Sequence, residues 1–215
     1  MGGSSQENVE LVVRTIAETA VQNETYFGEL DAVVGDGDFG YSMARGFELV
    51  LSDFDTFDRS DIGTFLKKVA VVITGRIGGT SGPIWGTAFI RAGTEAAGKT
   101  ELTTGEAIAM LRAAIAGIKQ RGQSDLGDKT LLDALVPAVD VLEEELKQGN
   151  PVGEALGKAA ATAREQAEAT REMLAKRGRA AYTGERSIGT LDAGAVAIAV
   201  MLENLTTAWT TQSEG

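Results

Sequence analysis

The chain contains no cysteine and no histidine among its 215 residues. Without cysteine there is no disulfide bond, no thiolate metal site and no cysteine nucleophile. Without histidine there is no Ser-His-Asp triad, no ordinary zinc site and no phosphohistidine, so any general base must be a carboxylate, a lysine or a tyrosine. These two absences leave carboxylates as the main candidates for metal binding.

Basic residues are also few, with 20 Lys and Arg against 31 Asp and Glu, a net charge of -11 and a pI near 4.6. This balance argues against a nucleic-acid surface, which needs clustered positive charge. The N-terminus has neither the basic region nor the apolar segment of a secretory signal, so we expect a cytoplasmic protein with no membrane partner. We expect one domain over residues 1–215, with residues 1–6 disordered or derived from cloning.

Proline is scarce as well, with three in the chain, and the spacing of apolar residues by three and four is typical of helices. Period-two alternation, the mark of strands, is almost absent, so the predicted fold class is all-α. The predicted helices are eight: 7–22, 41–53, 60–75, 83–98, 103–120, 129–148, 151–176 and 193–209. Many of the 27 glycines lie in four polar loops between them, which favours a site at one end of a bundle over simple corners.

Three aspartates, Asp31, Asp36 and Asp38, crowd the first glycine-rich loop. An EF-hand that began at Asp36 would need Gly at position 41 and Glu at position 47, where the chain has Tyr41 and Phe47. Two interpretations remain. The carboxylates bind one or two Mg²⁺ ions, which prefer carboxylates, waters and phosphates, or they form a solvated turn that caps helices.

The second loop, GGTSG at 78–82, runs into the helix predicted to begin at Pro83. Backbone amides at a helix N-terminus bind anions, and the hydroxyls of Thr80 and Ser81 add hydrogen-bond donors. Phosphate would suit this loop. A glycine-rich helix cap with no ligand is the alternative, and the residues alone leave both open.

The third loop, GQSDLGDKT at 122–130, resembles the phosphate-binding pattern GxxxxGK[ST] but is lengthened by Asp128. It also follows a helix and not a strand, so the pattern does not indicate a P-loop. We expect Asp128 to cap the next helix, with Lys129 in its first turn.

The fourth loop carries Arg177, Arg179 and Arg186 close to Asp192. A basic cluster in so acidic a chain can bind phosphate or the acidic surface of a partner. Equally, arginines can complement the end of one helix while Asp192 caps the N-terminus of the next.

Four segments, LDAVVGDGDFGYSMARGF, GGTSGPIWGTAF, GDKTLLDALVPA and GRAAYTGERSIGTLDAGA, occur in this order over nearly the whole chain. Together they strongly resemble the nucleotide-binding L subunit, DhaL, of the dihydroxyacetone kinase family. The resemblance implies an antiparallel eight-helix barrel that holds ADP or ATP in the loops at one end.

The resemblance also implies roles for individual residues. Asp31, Asp36 and Asp38 would act in catalysis by binding two Mg²⁺ ions that hold the nucleotide phosphates. The implied nucleotide contacts are Phe39, Gly40, Tyr41, Ser42, Thr80, Ser81, Gly122, Leu131, Arg179, Asp192, Ala193 and Gly194. Two positions depart from the family pattern, because Phe39 replaces a common histidine and Ala193 replaces a proline.

By the same resemblance the chain would pass a phosphoryl group from its nucleotide to dihydroxyacetone, or a related ketose, held on a separate DhaK-type subunit. The bound ADP would be recharged by a DhaM-type phosphoprotein. Two alternatives stay open: a split ketose kinase subunit that exchanges ATP, and a non-catalytic nucleotide-sensing module that regulates a partner.

Overall fold

The computed structural model describes residues 3–214, with side chains to residue 212, and this part of the chain has nine α-helices and no strand. It also has three short 3₁₀ helices, at Phe54–Thr56, Thr170–Glu172 and Arg179–Ser187. The α-helices are α1 (Ser5–Gln22), α2 (Glu24–Ala32), α3 (Phe39–Asp53), α4 (Ile62–Arg76), α5 (Ser81–Glu95), α6 (Thr104–Gly122), α7 (Leu131–Lys147), α8 (Val152–Ala169) and α9 (Ala193–Glu214).

Eight of these helices form a closed ring. Each of α3 to α8 packs against the next helix in the chain, and α1 closes the ring by packing against both α9 and α3. Since short loops join most successive members, neighbours run in opposite directions. The predicted all-α antiparallel eight-helix barrel is therefore confirmed, and its eight segments match the predicted ones apart from their ends.

The ninth helix, α2, was not predicted. It packs against α3 and α9 at one end of the barrel. The apolar pattern does not indicate this helix, because Phe27 is its one buried residue and Gly28 lowers the helix propensity of the nine-residue stretch. Gly40 permits the contact with α3, since a Cβ there would lie 1.9 Å from the carbonyl oxygen of Glu24.

Helix α8 ends earlier than predicted, at Ala169 instead of residue 176. The hydroxyl of Thr170 donates to the carbonyl oxygen of Ala167 at 2.6 Å and accepts from the N–H of Asp192 at 3.0 Å. This buried side chain competes with the helical hydrogen-bond ladder and ties the end of α8 to the start of α9.

The core combines large aromatic side chains with small ones. Phe27, Phe47, Phe54 and Phe65 are buried and belong to one cluster that runs through the barrel. Helix α8 contributes mostly alanines to it, such as Ala163, and α9 contributes three alanines beside larger side chains such as Ile198. The small side chains let the two backbones approach closely. No helix within residues 3–214 is long and apolar enough to cross a membrane.

The antiparallel ring places alternate loops at the same end. Residues 23–38, 77–80, 123–130 and 170–192, which include the four glycine-rich loops, connect helices at one end of the barrel, called the loop end below. The prediction for residues 1–6 lies partly outside the described residues. Within them, Ser4 caps α1, and the hydroxyl of Ser5 donates to Glu101 at 2.8 Å.

Candidate functional site

The three aspartates of the first loop converge at the loop end. Asp31 lies in the last turn of α2, Asp36 in the following loop and Asp38 immediately before α3. One carboxylate oxygen of each lies within 4.8 Å of the others. Gly35 leaves room for this arrangement, because a Cβ there would lie 2.4 Å from Oδ1 of Asp31. The unpredicted helix α2 is what brings Asp31 to the other two.

The electrostatics of this cluster favour a bound cation. Burial raises the pKa of Asp31, and the negative charges of Asp36 and Asp38 raise it further, against the lowering effect of the Phe39 and Gly37 N–H groups. Asp38 precedes α3, but its carboxylate makes no capping hydrogen bond to the N-terminus of that helix. The capping-turn interpretation therefore does not account for Asp38.

A guanidinium group already contacts the two exposed carboxylates. Nη1 of Arg179 donates to Oδ1 of Asp36 at 2.8 Å and to Oδ2 of Asp38 at 3.2 Å. Arg179 comes from the fourth loop, so this contact joins two loops that are far apart in sequence. The predicted arginine cluster divides, because Arg177 instead contacts Asp128, with Nε 3.2 Å from Oδ2.

The N-termini of α3 and α5 lie beside one another at the same end. Phe39, Gly40, Tyr41 and Ser42 form the first turn of α3, while Thr80 precedes α5 and Ser81 begins it; that helix starts two residues before the predicted Pro83. A Cβ on Gly78 would lie 3.8 Å from the hydroxyl of Ser42. Thr80 makes no capping hydrogen bond. Backbone N–H groups in a first helical turn have no partner within the helix, so both turns offer donors to an anion.

The remaining implied contacts lie on the other side of the ring, where α7 and α9 begin. Gly122 ends α6, Leu131 begins α7, and Ala193 and Gly194 begin α9. A Cβ on Gly194 would lie 3.2 Å from Cβ of Leu131, so the starts of α7 and α9 are in close contact. Gly122 and Leu131 are on helices that are not neighbours of α3 in the ring.

Asp192 links this side to the aspartate cluster. Its Oδ2 accepts from the N–H of Ala195 at 2.7 Å, so Asp192 caps the last helix, as one of the two interpretations of this loop expects. Burial raises the pKa of Asp192 to about 7, and repulsion from Asp133 and Asp31 adds to the shift, while the N–H of Ala195 and the charge of Lys129 oppose it.

The third loop differs from its prediction. Asp128 does not cap α7 and Lys129 is not helical: Thr130 is the N-cap, in a capping box with Asp133, and Lys129 has φ 60°. Gly127 donates its N–H to Oδ1 of Asp133 at 2.5 Å, so the residues before Thr130 are also held by this box. A capping box satisfies two N–H groups at once, and it outcompetes a cap at position 128.

The donor set at the aspartate cluster fits Mg²⁺. It consists of carboxylate oxygens, two of its three side chains are exposed to solvent, and helix starts that offer N–H donors are next to it. Mg²⁺ takes one or two carboxylates together with waters and substrate phosphates. The Arg179 guanidinium, which lies between two of the carboxylates, shows that a positive charge is accommodated there.

Comparisons with known proteins agree with this geometry. The sequence profile described as DAK2 domain matches residues 33–207. The chain belongs to the DAK2 domain family.

One relative of this DAK2 domain is the PEP-dependent dihydroxyacetone kinase, ADP-binding subunit DhaL, of Escherichia coli (strain K12). It is 39% identical over 180 residues, which cover 84% of this chain and 86% of the relative. The L-erythrulose kinase of Pectobacterium atrosepticum is 36% identical over 199 residues, which cover 91% of this chain and 33% of that protein.

The structure is similar to the crystal structure of the dihydroxyacetone kinase from C. freundii in complex with AMP-PNP and Mg²⁺. The TM-score is 0.76 at 25% sequence identity, and the match covers 96% of this chain and 34% of the crystal chain. This DAK2 domain thus spans about a third of that longer protein.

Sequence reasoning missed two features of this DAK2 domain. The first is α2, for which the spacing of Phe27 and Leu30 by three residues was the available signal. The second is the buried position of Lys129, for which a lysine beside a capping threonine gives no signal. Its contacts depend entirely on the fourth loop.

Proposed function

We propose that this DAK2 domain is the nucleotide-binding subunit of a ketose kinase, in which the terminal phosphoryl group of bound ATP passes to a hydroxyl of a ketose on a partner subunit and ADP is left in the site. The convergence of Asp31, Asp36 and Asp38, bridged in part by Arg179, is the observation that carries the proposal. Two similar proteins, an ADP-binding subunit of a dihydroxyacetone kinase and a dihydroxyacetone kinase in complex with AMP-PNP and Mg²⁺, support it.

In this proposal Asp31, Asp36 and Asp38 hold two Mg²⁺ ions. When bound, Mg²⁺ neutralises phosphate charge and stabilises the charge that develops on a phosphoryl group during transfer. The half-buried Asp31 fixes one side of the site through α2, while the exposed Asp36 and Asp38 leave coordination positions to water and phosphate.

The helix starts bind the phosphates. The first turn of α3, residues 39–42, and the start of α5 at Thr80 and Ser81 present N–H and hydroxyl groups on the same side of the barrel as the carboxylates. Because the N-terminal end of each helix carries a partial positive charge, both turns favour a bound anion. The N–H of Phe39 contacts the Asp31 carboxylate, so the N–H groups of Gly40 and Tyr41 are the donors proposed for phosphate. Phe39 offers no imidazole donor in place of the histidine of the family pattern.

Arg179 is placed to contact the phosphates, because its guanidinium pairs with Asp36 and Asp38 at the proposed metal site. When metal and nucleotide occupy the site, the same group turns to the phosphates, where planar Arg–phosphate pairing is strong. Gly122, Leu131 and the Asp192–Gly194 turn hold the remainder of the nucleotide.

The ketose is not expected on this chain. A DhaK-type subunit would hold it. A DhaM-type phosphoprotein would rephosphorylate the ADP while the ADP stays bound in the site. A chain without histidine is compatible with this scheme, because the transferred group stays on the nucleotide until it reaches the ketose.

Native mass spectrometry of the purified protein tests the proposal most directly. We expect ADP to be retained, and added ADP with Mg²⁺ to stabilise the fold by about 2.7 kcal/mol when present at 100 times its dissociation constant. A chain that neither retains ADP nor is stabilised by it in the presence of Mg²⁺ would contradict the proposed function.

The L-erythrulose kinase relative favours a second candidate, a subunit that exchanges ATP and serves a four-carbon ketose. Purified protein would then be empty and would bind ATP reversibly. Assays with a DhaK-type subunit, each ketose and either ATP or phosphorylated DhaM distinguish the two candidates by which donor yields sugar phosphate.

A further inference from the structure

Lys129 is almost fully buried, with 2% of its surface exposed, and its backbone has φ 60°, a conformation uncommon outside glycine. Its ammonium group donates to the carbonyl oxygens of Ser187, of Thr190 at 2.8 Å and of Met173 at 3.3 Å, and to the Thr190 hydroxyl at 3.2 Å. A buried ammonium needs such partners, because it has lost its hydration.

These acceptors lie at both ends of one segment. Met173 is at its start, and Ser187 and Thr190 are at its end, so Lys129 joins the two ends of the segment 173–190, here called the arginine loop. Arg179 lies within the arginine loop and reaches Asp36 and Asp38.

The neighbouring residues of the third loop hold the arginine loop at a second place. Asp128 accepts from Nε of Arg177 at 3.2 Å, and its carbonyl oxygen accepts from the N–H of Lys176 at 3.1 Å. Nζ of Lys176 donates to the carbonyl oxygen of Gly127 at 2.8 Å. Gly127, Asp128 and Lys129 therefore bind the arginine loop both before and after Arg179.

We propose that Lys129 is a positioning residue: it closes the base of the arginine loop and so places Arg179 over the aspartate cluster. This rests on the proposed function in one respect, that Arg179 serves a bound nucleotide. The third loop resembles a P-loop in sequence, but its lysine binds backbone carbonyl oxygens and not a phosphate.

Four proteins test the proposal: the wild type, Lys129→Met, Arg179→Ala and the double variant. Trypsin cleaves after lysine and arginine, so cleavage in the arginine loop reports its opening in protein free of metal and nucleotide. We expect cleavage of Lys129→Met to be at least roughly tenfold faster than that of wild type, since loss of even one charge-assisted hydrogen bond corresponds to about that factor. The control variant Lys119→Met removes a lysine that pairs with Asp125 in the third loop, and trypsin should cleave it as fast as wild type.

Calorimetric titration of ADP with Mg²⁺ gives the second readout. Lys129→Met should weaken binding roughly tenfold when Arg179 is present and leave it unchanged in the Arg179→Ala background, because coupled residues are not additive. An equal loss in both backgrounds would show a general structural effect and overturn the positioning role. Unchanged cleavage would overturn the loop closure itself.

The two proposals fail in different ways. If the wild type binds no ADP with Mg²⁺, the proposed function fails, while the cleavage rates still decide whether Lys129 closes the loop. Circular dichroism checks the fold of Lys129→Met. If Lys129→Met does not fold, Asp128→Asn replaces it, because it weakens the second attachment of the arginine loop. Asp128→Asn should show faster cleavage and weaker binding, both at smaller size. Wild-type behaviour of Asp128→Asn would overturn the proposal.

Discussion

The two ends of the barrel use polar side chains in different ways. At the end opposite the loop end, polar side chains terminate helices: Asp61 caps α4 and also accepts from the N–H of Gly98, and Glu106 completes a capping box with Thr103. Arg59 donates to the carbonyl oxygens of Phe54 and Phe57 at 2.9 and 2.8 Å. Polar groups at that end are held by the protein itself.

At the loop end α7 and α9 are capped in the same way, by Thr130 and Asp192, but the positions before α3 and α5 are left available. Asp38 and Thr80 precede α3 and α5 without capping them, and one arginine holds both Asp36 and Asp38. Both ends belong to the same ring of helices, so the scaffold does not dictate this difference. It follows that a polar group which could cap a helix but does not is a useful sign of a ligand site.

The largest expected effect is the loss of ligand binding from Asp36→Asn. In the proposed function Asp36 is a direct metal ligand, and its loss should weaken binding of ADP with Mg²⁺ by at least roughly 100-fold, since loss of residues that merely support ligands costs about 10- to 100-fold. Isothermal titration calorimetry measures this. Asp58→Asn at the opposite end, where the carboxylate accepts from the N–H of Ser60, is the matched control and should bind as wild type does.

Next in size is the effect of Gly40→Ala on folding. The added Cβ would meet the backbone of α2 at 1.9 Å, and we expect a loss of about 1–3 kcal/mol in the free energy of unfolding. Gly75→Ala meets nothing within 4 Å and should instead be neutral or stabilising by up to ~1 kcal/mol. Urea denaturation compares them; equal stabilities would mean that α2 is not fixed to the barrel.

A smaller effect is expected from Arg179→Met on metal binding without nucleotide. The guanidinium competes with a metal for Asp36 and Asp38, and an exposed ion pair is worth up to about 1 kcal/mol, so Mg²⁺ affinity should rise by up to about fivefold. Affinity for ADP with Mg²⁺ should fall in the same variant. Calorimetry of both titrations shows whether the two changes have opposite signs, and a fall in both would contradict the competition.

The smallest effect concerns pH at the opposite end. The hydrogen bond from Lys99, together with the capping box, lowers the pKa of Glu106 from 4.5 to about 2. Its contribution to stability is therefore complete above pH 4.5 and is lost as the pH falls toward 2. Glu106→Gln should be less stable than wild type at neutral pH, and the difference should shrink over this range when thermal unfolding is followed; a constant difference would count against the assignment.

The sequence predicted the helices whose apolar faces repeat regularly, because burial of one face requires that pattern whatever the neighbours are. Caps with strong local chemistry were also predictable: Thr103 with Glu106 and Asp192 before α9 follow from contacts only a few residues apart. Helix α2 was not, because its stability comes from packing on α3 and α9 and not from its own propensity.

By itself the sequence determined that any metal site must be made of carboxylates, that the fold is all-α, and that glycine-rich loops alternate with helices. The tertiary structure decided which of these groups meet. Arg179 reaches Asp36 and Asp38 across about 140 residues because the antiparallel ring returns alternate loops to one end, and Lys129 holds the loop that carries it. Such contacts depend on distances in space that no local pattern encodes.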